Sequence, residues 1–347
     1  MNGLEIKEKM HTLVTNKPVI FITMGDPAGI GPEITAKALL NPSISCLANF
    51  FIIGDETIFK NYMSPELAVK VNMVKSNEIN DSIFSEKKTI CLMDPGPETA
   101  VIIPGVSSKE CSQKALNSIL QAADSIQNPV MSGMKKAIVT APVCKEAIAE
   151  VTPGFIGHTE FFRDAFSSDF VTMAFVGKTL RVVPVTRHIP IKDVASTLTG
   201  EMIEKTILQV VDSKELMSGK ATPVIGVSAL NPHSGESGKI GSEEIEIIAP
   251  AVENVRKKYS NIVGPLPADV VFYKAYNGNI DIVISMYHDQ CLGPFKMIDF
   301  ECGVNLTLGL GYVRTSPDHG TAFDIAGKGV ASSESMEAAI KLALRAL

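Results

Sequence analysis

Basic clusters, long apolar runs and paired cysteines are all missing from this chain of 347 residues, and each absence removes a class of function. Lys and Arg number 32 against 38 Asp and Glu, a formal net charge of −6 with no basic block, so the long-range field repels nucleic acid. A nucleic-acid partner is therefore not expected. A small phosphorylated substrate stays open, because it needs only a few well-placed donors. No apolar run approaches the ~20 residues that span a bilayer, so no membrane partner is expected either. Residues 1–17 mix Glu5, Lys7, Glu8 and Lys9 without the hydrophobic segment of a secretory leader. The expectation is a cytoplasmic protein with a mobile tail over 1–17, in which His11 has no functional reading. Cys46, Cys91, Cys111, Cys144, Cys291 and Cys302 show no C-x-x-C spacing, which argues against a disulfide framework and a thiolate zinc site.

What is present is the composition of a folding chain: 45% hydrophobic and 20% charged residues, with length for about two domains. Short β-rich apolar runs alternate with longer amphipathic stretches, the pattern of βαβ units and a largely parallel sheet. Strands are expected at Pro18 to Met24, Asn49 to Ile53, Lys136 to Ala141, Leu180 to Thr186, Pro223 to Ala229 and Asp281 to Met286. Ser107 to Gln127 spaces Ala115, Leu116, Ile119, Leu120, Ala123 and Ile126 as a core-facing helix. The fold class is α/β.

Polar clusters follow these runs. In parallel α/β sheets ligands sit beyond the carboxyl ends of strands, where loops and helix N-termini converge. The first run leads into Gly25-Asp26-Pro27-Ala28-Gly29-Ile30-Gly31, and another into Pro142-Val143-Cys144-Lys145. The glycines at 25, 29 and 31 fit neither a Walker A loop nor G-x-G-x-x-G, leaving open a phosphate cradle or a strand-to-helix turn set by Pro27 and Pro32. Three runs end in histidine loops, carrying His188, His233 and His288. They form a candidate divalent-metal or proton-transfer set, suited to zinc, cobalt, nickel or manganese and leaving positions open for substrate oxygens. Asp269 could add a carboxylate. Lys145, Lys296 and Arg314 gain meaning only if they converge on an anion. The stretch from Arg314 to Gly329 brackets an apolar patch with two small-residue turns, as a flat polar ligand such as an adenosine group requires, or as a surface loop would.

Together these strings resemble the 4-hydroxythreonine-4-phosphate dehydrogenase family of pyridoxal phosphate biosynthesis, from about Pro18 to the C-terminus. The strings are ITMGDPAGIGPEI at 22–34, GHTEFF at 157–162, NPHSGE at 231–236, GPLPAD at 264–269, MYHDQ at 286–290 and RTSPDHGTAFDIAGKG at 314–329. The last is also similar to the adenosine-binding loop of isopropylmalate dehydrogenases. The resemblance implies an isocitrate/isopropylmalate dehydrogenase-like fold of two α/β/α domains flanking a cleft: residues 1–140 with 290–347 on the cofactor side, and 141–289 with the metal ligands and dimer contact. It implies that His188, His233 and His288 hold a divalent metal (zinc, cobalt, magnesium or manganese) in a homodimer with the active site at the subunit interface. His158, Thr159, Lys296, Asn305 and Arg314 match substrate positions. Lys296 and Asp269, the latter matching the carboxylate near the metal, are the expected catalytic residues. Asp318, His319, Gly320, Thr321 and Asp324 are expected to bind NAD or NADP.

The implied reaction oxidises a secondary alcohol and then decarboxylates the 3-oxo acid to 3-amino-2-oxopropyl phosphate. Three positions depart from the family pattern: Arg187 precedes His188 in place of a small hydroxyl residue, Cys144 stands where His or Asn is common, and Gly311 replaces a proline. None removes an expected ligand. They leave a second substrate class open, the D-threonate or D-erythronate 4-phosphates of a sister group, with hydroxyl in place of amino at C2. A different class of function, an inactive paralogue that only binds a metabolite, is the remaining alternative.

Overall fold

A computed structural model describes residues 17–75, 89–96 and 101–347. The expected tail over 1–17, with His11, lies outside the described residues apart from Lys17. The chain falls into two compact units, Met1–Ser168 with Leu310–Leu347, and Asp169–Gly309. These limits lie beyond the expected ones near 140 and 290. Nothing in the sequence marks them, because what ties 141–168 to the first unit is packing: the Phe166 ring meets Tyr312 at 4.9 Å.

The first unit holds six parallel strands in the order β3-β4-β2-β1-β5-β12. They are β1 (Val19–Thr23), β2 (Asn49–Ile53), β3 (Val71–Met73), β4 (Ile90–Met93), β5 (Lys136–Thr140) and β12 (Val313–Pro317). All five residues of β1 and all five of β2 are buried, the continuous apolar run expected where both faces of a parallel sheet are covered. Helix Lys109–Gln127 begins where the Ser108 hydroxyl accepts the Cys111 amide at 3.2 Å. It stops before Pro129, which disfavours helical backbone at Asn128. Its buried stripe includes Ala115, Leu116, Ile119, Ala123 and Ile126 as expected, whereas Leu120 is exposed because its place in the helical repeat lies just off the stripe.

The second unit orders its strands β11-β6-β7-β10-β8-β9. These are β6 (Thr172–Val176), β7 (Arg181–Pro184), β8 (Ile225–Ser228), β9 (Ile262–Leu266), β10 (Ile282–Ser285) and β11 (Val304–Leu308). β7, β10, β8 and β9 run parallel, while β6 lies antiparallel to both β7 and β11. Helix His288–Asp299 follows β10, and its core residues Cys291, Leu292 and Phe295 pack with Phe175, Val182 and Val283.

Asp299 closes that helix at the end where a negative charge is least welcome. Its carboxylate, 3% exposed, compensates by accepting the amides of Lys178 (3.1 Å), Thr179 (3.2 Å) and Leu180 (2.8 Å) in the β6–β7 turn. A Cβ on Gly177 would stand 2.3 Å from the carboxylate, so the turn must pass this close as glycine. Asp299 therefore clamps the helix that carries His288 to the hairpin it packs on. Asp299→Ala is expected to destabilise the protein by roughly 3 kcal/mol, from hydrogen bonds to a charged acceptor. A lowered urea midpoint at unchanged m-value checks this.

Candidate active site

In the second unit the parallel neighbours β7, β10 and β8 release the three histidine loops at the same end of the sheet. Two polar clamps fix these exits. The Thr186 hydroxyl donates to the Met286 carbonyl at 2.7 Å, joining the loop after β7 to the loop after β10. Buried Gln290 accepts the Met286 amide and donates to the Ala229 carbonyl, each at 2.7 Å, which joins the loop after β10 to the loop after β8.

The His188 and His288 rings stand 5.8 Å apart between centroids. Asp289 accepts from His288 Nδ1 at 2.7 Å when that nitrogen carries the proton, leaving Nε2 as a lone-pair donor. This is the carboxylate–imidazole arrangement that suits a metal ligand. Phe175 meets the His288 ring edge-on, centroids 6.4 Å apart, and its cross-strand partner Asn305 shares that face of the sheet. Among the described residues Asn305 Oδ1 has no hydrogen-bond partner. Lys296, two turns along the helix from His288, lies 5.3 Å from the Phe300 ring centre. Asp269 is exposed in the first turn of helix Ala268–Tyr276.

His233 sits on an unusual backbone. His233, Ser234, Gly235, Glu236 and Ser237 have φ of 53, 55, 75, 43 and 58°, a continuous left-handed turn in which four of five residues carry a Cβ. Left-handed conformation costs such residues roughly 1–2 kcal/mol each, so the surroundings must impose it. The turn exposes His233 and leaves the Ser234 hydroxyl without a partner among the described residues. Among the described residues no group of three His, Cys, Asp or Glu side chains is gathered at metal-holding distance. One chain thus brings together two of the three expected imidazoles, and their donor set fits a divalent ion completed by a further ligand.

The first unit repeats the arrangement with anion chemistry. Parallel β1, β5 and β12 release the Gly25–Gly31 loop, the Pro142–Lys145 segment and the 318–329 loop. Arg314 on β12 is 3% exposed, and its guanidinium donates from Nε (3.1 Å) and Nη2 to the Thr140 hydroxyl at the end of β5. Burial pulls its pKa down to about 9, with Glu160 working against the drop. His158 and Thr159 are buried at the start of helix His158–Ala165, whose first turn has no side-chain cap. Lys145 reaches the same place: a Cβ on Gly157 would stand 3.5 Å from Lys145 Nζ. His158 is held neutral, its pKa well below the usual imidazole value, first by burial and then by the Arg314 and Lys145 charges. Among the described residues its Nε2 has no hydrogen-bond partner. Two cations, a neutral imidazole and uncapped helix amides thus occur in this part of the first unit, groups whose chemistry suits an anion. Sequence reading placed His158, Thr159 and Arg314 here but missed the convergence of Lys145, which stands after a strand neighbouring that of Arg314.

The glycine loop packs as a structural turn. Gly25 has φ 75°, and a Cβ there would lie 2.3 Å from the Pro142 carbonyl. The Asp26 amide donates to that carbonyl at 2.9 Å, and the Ile30 amide to Thr321 O at 3.0 Å. This fixes the base of the 318–329 loop. Asp318 donates its amide to the Ser335 hydroxyl at 3.2 Å, and His319 Nδ1 lies 3.1 Å from Gly320 O. Asp324 is exposed, and no atom lies within 4 Å of a Cβ built on Gly320, so a planar ligand can approach that backbone.

The neutral state of His158 has a consequence for stability. The unfolded chain takes up its proton below about pH 6.5, whereas the folded chain does not until a lower pH. Stability contributed by neutral His158 is therefore present above that pH and is lost as pH falls, at up to about 1.4 kcal/mol per pH unit. The acid side of a pH series of urea melts is expected to be flatter for His158→Gln than for the parent.

Known proteins resemble this chain over most of its length. The family profile described as "Pyridoxal phosphate biosynthetic protein PdxA" matches residues 46–343. A 4-hydroxythreonine-4-phosphate dehydrogenase of Desulforapulum autotrophicum is 40% identical over 95% of this chain and 96% of its own. A D-threonate 4-phosphate dehydrogenase of Pectobacterium atrosepticum is 36% identical over 94% of this chain and 98% of its own. The crystal structure of a 4-hydroxythreonine-4-phosphate dehydrogenase from Klebsiella pneumoniae superposes with a TM-score of 0.78 at 33% identity, covering 95% of this chain and 98% of that one. The fold and the motifs identify this chain as a member of the PdxA family.

Proposed function

We propose that this chain is a metal-dependent dehydrogenase linked to NAD or NADP. It oxidises the secondary alcohol of 4-hydroxy-L-threonine 4-phosphate, and the 3-oxo acid then loses CO₂ to give 3-amino-2-oxopropyl phosphate. It works in the cytoplasm as a homodimer, with a ligand from the partner completing each metal centre. The observation that carries this reading is the release of His188, His288 and His233 from adjacent parallel strands, with two rings 5.8 Å apart. When bound, the nicotinamide accepts the hydride, and the cation acidifies the alcohol and holds the charge that develops.

The chain's own residues do the rest. Asp289 fixes the His288 tautomer so that the lone pair faces outward. Arg314, Lys145 and the first-turn amides at His158 and Thr159 grip the phosphate, and neutral His158 adds a hydrogen bond without changing the net charge. Lys296 and Asn305 orient the amino-acid end, and Asp269 supplies a carboxylate on the metal side. Remote binding energy of this kind aligns a reacting C–H bond. Asp318, His319, Gly320, Thr321 and Asp324 receive the nucleotide. The exposed Tyr273, Tyr276, Met297 and Phe300 of the second unit support a protein partner there.

The D-threonate reading stands beside it because relatives with that name are 36% identical over most of the chain. The full-length protein with divalent metal is expected to reduce NAD or NADP with a 4-phosphorylated hydroxy acid, and kcat/KM on C2-amino and C2-hydroxy substrates names the preferred one. Arg314→Met is expected to lower kcat/KM roughly 100-fold, as loss of a charge-assisted contact implies. Dinucleotide binding without turnover on any of these substrates establishes the inactive paralogue instead.

A further inference from the structure

The left-handed turn that carries His233 has short-range bonds of its own, among them Ser234 N donating to Asn231 O at 3.2 Å, Ile240 N to Gly235 O at 3.0 Å and Lys239 N to Glu236 O at 3.4 Å. A restraint from outside the turn comes from Glu244, which opens a single π-helical turn, Glu244–Ile248, a feature frequent at functional sites.

Glu244 is 4% exposed, and among the described residues it pairs with no cation. Its Oε1 accepts the amides of Leu230 (2.8 Å) and Asn231 (2.7 Å), and its Oε2 accepts Asn231 Nδ2 (3.0 Å). Asn231 Nδ2 also reaches Glu243 Oε2 at 2.7 Å. A Cβ on Gly235 would stand 2.7 Å from Glu244 Oε2, so the carboxylate lies directly against the turn. A buried carboxylate satisfied by N–H donors alone is a costly way to secure an ordinary surface loop. Here it fixes both the entry to the turn, at Leu230 and Asn231, and its middle, at Gly235.

We propose that Glu244 is a positioning residue for the metal centre: it imposes the left-handed turn and so sets where the His233 imidazole points. This rests on the reading of His233 as a metal ligand. Glu244 touches neither substrate nor cation; its effect passes through the backbone of 230–235.

The test is titration of the full-length, metal-free protein with Co²⁺ alone, following the visible ligand-field spectrum and the Kd, for the parent, His233→Ala, Glu244→Ala and Glu244→Gln. His233→Ala is expected to lose tight binding. Glu244→Ala is expected to weaken Co²⁺ by roughly 10- to 100-fold, the range for partners that orient a ligand, with a changed spectrum at intact circular dichroism. Glu244→Gln keeps an acceptor for the two amides but opposes Asn231 Nδ2 with a second donor, so a smaller loss in the same direction is expected. Parent-like Kd and spectrum in Glu244→Ala, with binding lost in His233→Ala, overturn the positioning role and leave the ligand reading standing. Should Glu244→Ala not fold, Glu244→Gln decides, and a parent-like Kd and spectrum overturn the role. Parent-like binding in His233→Ala removes the ligand reading and this inference with it.

Discussion

Parallel pairing in register at β7, β10 and β8 is the constraint on which the metal-side geometry depends. Val182, Val183 and Pro184 lie level with Val283, Ile284 and Ser285, and Ile282, Val283 and Ile284 with Ile225, Gly226 and Val227. A slip of one residue would turn every side chain to the opposite face and expose a core that is now closed on both sides. The apolar sequence of each strand therefore sets the height at which its loop leaves the sheet. Only after that do Thr186 and Gln290 matter, because their bonds to Met286 and Ala229 join loop ends that the register has already brought level. In the first unit the register sets Arg314 on β12 level with Ile138 on β5, within reach of Thr140 two residues further along.

Buried polar groups around the site share one design. Asp299 and Glu244 are carboxylates that give up water for main-chain amides, and Gln290 takes one amide and one carbonyl. Such contacts are directional where apolar packing is not, so they specify where a loop goes and not merely that it is covered. Asp299 lies on the helix that carries His288, while Gln290 and Glu244 bond the segments that lead to His288 and His233. The second unit thus spends part of its stability on aim, and leaves the Asn305 and Ser234 oxygens unpartnered within the same unit.

Much of this was legible in the sequence, for a physical reason. The buried strands β1, β2, β5, β7, β8 and β10 are dense apolar runs, readable because both faces of a parallel sheet must be covered. The strands not anticipated are β3, β4, β6, β9, β11 and β12. In three of these the signal is diluted: β9 holds Gly264 and Pro265, β11 alternates Asn305 and Thr307 with aliphatics, and β12 is Val-Arg-Thr-Ser-Pro. The antiparallel run of β6 against β7 and β11 was illegible as well, because pairing direction leaves no trace in an apolar run. Histidines after strands marked His188, His233 and His288, whereas the five left-handed residues at 233–237 could not be read from a segment with one glycine among them. Glu244 and Lys145 act at a distance in sequence from what they serve, and composition does not encode such pairings.

In the proposed anion pocket, the neutrality of His158 bears on selectivity. Arg314 is buried deeply enough to lower its pKa to about 9, which still leaves it charged near neutral pH. Burial disfavours a protonated His158 first, and the Arg314 and Lys145 charges add to this, so a third cation there is unfavourable. The pocket keeps two cations and one neutral imidazole, facing helix amides that no side chain has capped. A charged imidazole would strengthen attraction for any anion alike. In the proposed site a neutral one would add a directional contact, so binding would depend on the number and placement of the anion's oxygens, a demand that a phosphate with three free oxygens meets better than a carboxylate with two.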